Sequence, residues 1–179
     1  MRCTTSLRAA IAAISFVALT SPANAASPSL IDQTGKHFSF DQLRGTPLIV
    51  TFIAARCTDA CPLIDAQIST AAHDTRARAG DVRFLTLTLD PEHDTPAVMR
   101  HLARTFDAQT PRWTMATGTP AVIHDLMRRF DVVAQNDKNG IPEMHTTFVY
   151  ILDGNGRLQH AVLASANLPS DIFAAVPAR

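Results

Sequence analysis

Cys57-Thr58-Asp59-Ala60-Cys61 sets two thiols with three residues between them, and Pro62 follows at once. Ahead of them, Pro47 to Ala54 is a nearly unbroken apolar run rich in branched residues, as expected of a strand covered on both faces. Behind them, Pro62 stands where a first helical turn tolerates proline, and Ile64, Ile68 and Ala71 or Ala72 recur at helical spacing. The pair therefore joins a strand end to a helix N-terminus, where backbone N–H groups and the helix dipole favour a thiolate and lower a cysteine's pKa. Disulfide-cycling enzymes usually carry two intervening residues. Three put Cys61 further along and widen the grip, which suits a metal as well as a disulfide. A permanent disulfide is the plain alternative, but so small a loop removes little chain entropy and gives stability little reason to place one here.

Two thiolates are soft ligands that suit Cu(I), and a neutral imidazole as third ligand makes Cu(II) acceptable too. His145 directly precedes the expected strand Thr147 to Leu152. If that strand runs antiparallel beside Leu48 to Ala54, its beginning lies next to the other's end, and His145 comes alongside Cys57. Asp90 ends another buried run, Val82 to Leu89, and is placed to orient a ligand from behind; an Asx turn with Pro91 competes for it. His93 reads as a solvated turn residue and Met144 as packing. His73, His101, His124 and His160 belong to helix faces or a hairpin strand.

The elements that must position these groups follow from pattern. Ile31 to Gly45 carries a turn at Gln33 to Lys36 and suggests a small hairpin or capping strand. Thr95-Pro96 and Thr119-Pro120 each start a helix, the first with Val98, Met99, Leu102 and Phe106 on one face, the second with Val122, Ile123, Leu126, Met127 and Phe130. Arg112 to Ala116 is a further strand candidate. Gln135 to Pro142 reads as a polar connecting stretch. Thr147 to Leu152 and Arg157 to Leu163 flank Asp153-Gly154-Asn155-Gly156 and read as a β-hairpin; an EF-hand loop would want glycine where Leu158 stands. Leu168 to Val176 closes the chain as a helix. Strands alternating with helices, then a hairpin, describe an α/β protein with a mixed sheet, in the order of a thioredoxin-like fold.

Arg2 and Arg8, the apolar run Ala9 to Leu19 and the triplet Ala23-Asn24-Ala25 have the layout of a secretory signal peptide cut after Ala25. That run is shorter than the roughly 20 residues a spanning helix needs. Residues 1–25 are thus expected to be removed and 26–179 to form one domain, exported to the periplasm, soluble and monomeric. Cys3 leaves with the leader. The remainder holds 14 basic against 16 acidic residues with no basic cluster, which argues against nucleic acid as a partner. No phosphate loop, serine triad or paired carboxylates appear.

Thr51-Phe52-Ile53 before Cys57-x-x-x-Cys61-Pro62, then Leu87 to Pro96 with its Asp90-Pro91-Glu92-His93-Asp94 core, then His145-Thr146-Thr147 leading into Tyr150 to Asp153, together resemble the Sco/SenC family. The resemblance spans nearly the whole of 26–179. It implies a thioredoxin-like fold, copper bound by Cys57, Cys61 and His145, and a part in assembling the dinuclear copper centre of cytochrome c oxidase, whose subunit II is the expected client, with a periplasmic copper donor. Some members act instead as thiol reductants for that centre. Ala55 stands where the family often has Thr, and His93 where it often has Arg. The competing readings are a metal-independent thiol-disulfide oxidoreductase and, more remotely, a thiol peroxidase.

Overall fold

The computed structural model describes residues 29–57, 60–78, 82–145 and 147–176, with backbone only at 60–62, 75–78 and 143–145. The expected leader, 1–25, lies outside the described residues. In chain order the elements are β1 (Ser29–Asp32), β2 (His37–Ser39), a single 3-10 turn (Phe40–Leu43), β3 (Leu48–Ile53), α1 (Ala60–Arg78), β4 (Arg83–Thr88), α2 (Pro96–Thr105), β5 (Trp113–Gly118), α3 (Pro120–Arg129), β6 (Ala134–Asn136), β7 (Pro142–His145), β8 (Phe148–Leu152), β9 (Leu158–Leu163) and α4 (Leu168–Ala175). This is the expected mixed α/β architecture, a central sheet flanked by helices.

The sheet has seven strands in the order β2-β1-β5-β4-β3-β8-β9. All six residues of β3 are buried, as its apolar run requires, because a strand lies on either side and a helical layer covers each face. β3 pairs parallel with β4, Leu48 opposite Arg83 through Ile53 opposite Thr88. On its other side it pairs antiparallel with β8, Leu48 opposite Leu152 and Val50 opposite Tyr150. Alternation along the strands divides the core. Val50, Phe52, Leu85, Leu87 and Tyr150 pack with Ile123, Leu126 and Phe130 of the α3 region. Ile49, Phe84, Trp113 and Ile151 pack with Ile64 and Ile68 of α1, Met99 of α2 and Ile172 of α4. Buried hydroxyls of β3 and β4 pair across the strands: Thr51 and Thr86 Oγ1 atoms lie 2.9 Å apart, and Trp113 Nε1–H donates to Thr86 at 2.9 Å.

Both Thr-Pro starts are helix caps. Thr95 and Thr119 accept from Val98 and Val122 N–H respectively, with proline in the first turn. The Gln33 to Lys36 turn does close a hairpin, but its first strand goes further than a cap and joins β5 antiparallel within the main sheet. The main departure from the sequence reading is the segment read as a polar connection. Gln135 to Pro142 falls within a second, two-stranded sheet, β6 with β7, outside the seven-stranded one. Its signal was turn chemistry. Asp137 Oδ1 accepts from Asn139 N–H and Ile141 N–H, both at 2.8 Å, and Gly140 takes φ +73°, the left-handed conformation that glycine tolerates.

Asp65 breaks the pattern of α1. It is 1% exposed, and its Oδ1 has no hydrogen-bond partner. Burial pushes its carboxyl up to about 7. The folded state therefore holds a proton that the unfolded chain releases near 4, so stability falls as pH rises from about 4 to about 7. Asp65→Leu is expected to stabilise the protein, and by roughly 2 kcal/mol more at pH 8 than at pH 5, read from urea unfolding at both pH values. Equal gains at the two pH values would show that the carboxyl does not titrate in that window.

Candidate metal centre

β3 and β4 end side by side, and Leu89 N–H donates to Ile53 O at 2.6 Å just past their ends. The loops carrying Cys57 and Asp90 therefore leave the sheet at the same edge. Cys57 N–H donates to Ala54 O at 3.0 Å, so the chain turns as soon as the strand stops. Cys57 is half-buried and packs against the core cluster that contains Phe52, Phe130 and Tyr150. Cys61 is the second residue of α1, at the helix N-terminus that the sequence indicated.

His145 is the last residue of β7, opposite Ala134 of β6. The condition attached to it is met, for β8 is the antiparallel neighbour of β3. Each step back along β8 from Tyr150 is a step forward along β3 from Val50, so the chain passes from His145 into β8 at the edge where β3 leads to Cys57. Among the described residues no group of three or more His, Cys, Asp or Glu side chains could hold a metal ion. Of the expected trio, Cys61 and His145 are described by their backbone only.

Asp90 is 7% exposed, and its carboxylate is taken up by two side chains. Oδ2 accepts from Arg56 Nε–H at 2.9 Å and Nη2–H at 2.7 Å, and Oδ1 lies 2.7 Å from His93 Nδ1, which donates to it. The carboxylate thus serves side chains and not an Asx turn. His93 is an exposed turn residue, as expected, and its ring is tied to Asp90. His73 lies in α1, His101 in α2, His124 in α3 and His160 in β9, on helices and a hairpin strand as expected.

Two residues at the site escaped the sequence reading. Arg56 adjoins Cys57 and, besides Asp90, donates from Nη2 to Gly140 O at 3.1 Å. Asp94, 1% exposed, accepts at Oδ2 from Ala55 N–H at 3.1 Å and from Thr88 Oγ1–H at 2.6 Å. Burial raises its carboxyl pKa; the bonds from Thr88 and Ala55 pull the other way without overcoming it. The available signals were a charge directly before the first thiol and a second aspartate four residues after Asp90. Asp94→Ala is expected to cost about 1–3 kcal/mol, by stranding a backbone N–H and a buried hydroxyl, and to speed amide exchange at Ala55. Urea unfolding and exchange-detected NMR read the two effects; unchanged exchange at Ala55 would mean that Asp94 does not hold the thiol loop.

An α/β sheet of thioredoxin-like order, with a cysteine at the end of a central strand and a second at the following helix N-terminus, defines the class of protein. The SCO1/SenC family model matches residues 19–177, and the chain belongs to that family. A SCO2-like protein of Rickettsia prowazekii is 31% identical over 133 residues, covering 72% of this chain and 63% of the relative, so the chain spans under two thirds of that relative's length. The structure of Bradyrhizobium japonicum ScoI with copper bound is 28% identical and superposes with a TM-score of 0.70 over 83% of this chain and 96% of that one. Arabidopsis thaliana ScoI, also solved with copper bound, shares the fold at 22% identity, with a TM-score of 0.73 over 82% of this chain and 92% of its own.

Proposed function

We propose that this chain is a copper metallochaperone, which binds one copper ion through Cys57, Cys61 and His145 and passes it to an extracytoplasmic cuproprotein. The observation that carries the reading is the antiparallel register of β8 on β3, because it joins the segment after His145 to the edge where the thiol loop emerges. The chemistry agrees: two thiolates and an imidazole are a donor set that accepts either oxidation state of copper. A family member of similar sequence, Bradyrhizobium japonicum ScoI, has been solved with copper bound.

Copper is cargo in this scheme. The thiols lose their protons as the metal binds, and Cys61 is favoured for this by its place at the N-terminus of α1. Cys57 rests on the aromatic core, which shields one side of the site from water. A client's thiolates displace Cys57 and Cys61 one at a time. Oxidation of the pair to a disulfide removes two ligands at once, so thiol redox state gates loading.

The client fitting the family resemblance is cytochrome c oxidase subunit II, at its dinuclear copper site, with a periplasmic donor supplying the metal. The working form is residues 26–179 as a single domain, released into the periplasm after removal of 1–25. Among the described residues no helix is long and apolar enough to cross a membrane.

Reduced protein is expected to take up one copper per chain, measured by metal analysis after desalting, and a Cys57→Ser, Cys61→Ser double variant to take up none. His145→Ala is expected to weaken binding by at least tenfold while leaving the thiols titratable. Full copper retention by the double variant would overturn the metallochaperone reading. Undiminished client maturation by His145→Ala would instead favour a thiol-disulfide oxidoreductase working without metal.

A further inference from the structure

His145 is carried by an arm that is poorly secured by itself. β6 and β7 form a two-stranded sheet apart from the main one, and an isolated hairpin of that size is marginal in water. Their turn, 137–141, is well made. Asp137 N–H donates to Ile141 O at 2.8 Å and Gly140 N–H to Asp137 O at 3.1 Å, while the Asp137 carboxylate binds back to the turn. The turn is thus a rigid piece, but internal bonds do not fix where it sits relative to the thiols.

Arg56 supplies that fix. Among the described residues, its bond to Gly140 O is the hydrogen bond that ties the turn to the rest of the molecule. Nη2 carries two hydrogens, and both are used, one on Asp90 Oδ2 and one on Gly140 O. The 3.0 Å approach of Nη2 to His93 Nδ1 is therefore a contact, since that nitrogen spends its own hydrogen on Asp90. Asp90, itself nearly buried, holds the guanidinium through a second bond from Nε, so the planar group has a set orientation. The guanidinium belongs to the residue next to Cys57. The path from Cys57 through Arg56 to Gly140, and along β7 to His145, is short.

We propose that Arg56 is a positioning residue that latches the His145-bearing arm to the thiol loop, with Asp90 acting on the site through it. The inference rests on the copper reading for its consequence, since the latch sets the imidazole against the sulfurs. The latch itself does not depend on metal. Arginine suits the task because one planar fork reaches a carboxylate and a carbonyl together. Lysine, a point donor, keeps the charge but cannot span both.

The test uses residues 26–179 and two readouts on Arg56→Gln, Arg56→Lys and, as a charge control on the outer face of α3, Arg128→Gln. In metal-free protein, Arg56→Gln is expected to speed amide exchange across 134–145 at least tenfold, with Arg128→Gln unchanged and Arg56→Lys intermediate. In Cu(II)-loaded protein, pulsed EPR is expected to find an imidazole nitrogen in the parent that weakens in Arg56→Gln, with copper affinity falling about ten- to a hundredfold. Parent-like exchange in both Arg56 variants would overturn the latch, and accelerated exchange with unchanged copper affinity and nitrogen signal would overturn the role of Arg56 in positioning His145. If the parent shows no imidazole nitrogen, the copper reading fails, and the metal-free exchange still decides the latch. Should Arg56→Gln not fold, the Arg56→Lys comparison with Arg128→Gln stands in its place.

Discussion

Strand direction is the constraint on which the site depends. β3 and β4 run parallel, so their C-terminal ends share an edge; β8 runs antiparallel to both, so its N-terminal end meets them there. Three segments far apart in the chain, around Cys57, Asp90 and His145, are brought toward one edge in this way. The apolar faces of β3 fix the register that makes this possible. Slipping β8 by one residue would turn Tyr150 and Ile151 to the wrong cores, and that cost holds the edge in place.

Polar groups at the edge are arranged to hold the loops. Two aspartates of the segment after β4 divide the work. Asp94 reaches across to Ala55 N–H and Thr88 and secures the backbone just before the thiols. Asp90 faces outward to Arg56 and His93 and secures side chains. A buried carboxylate is costly unless its oxygens are satisfied, and Asp94 retains one oxygen, Oδ1, with no partner. Asp65, on the other face of the sheet, bears that cost more fully, and its chemistry is one of stability against pH.

Much of this was legible in the residues. The central strand, the thiol position at a helix start, both Thr-Pro caps and the terminal hairpin follow from hydrophobic period and proline placement, which act locally. The antiparallel return beside β3 stood as a condition on His145, and the pairing of β8 with β3 meets it. The β6–β7 arm was missed because its residues are polar and its strands short; its order comes from Asp137 bonding to its own backbone, which leaves almost no hydrophobic pattern. Arg56 was missed for a related reason. Its partners lie 34 and 84 residues away, and nothing in the local sequence marks a guanidinium that joins two loops.

X-ray absorption at the copper edge of reduced, copper-loaded protein tests most directly whether three side chains converge on one ion. The expected result is a shell of two sulfur atoms and one imidazole nitrogen per copper, with the nitrogen's scattering lost in His145→Ala. A shell with fewer than two sulfurs, or one identical in the parent and His145→Ala, would contradict the convergence of Cys57, Cys61 and His145.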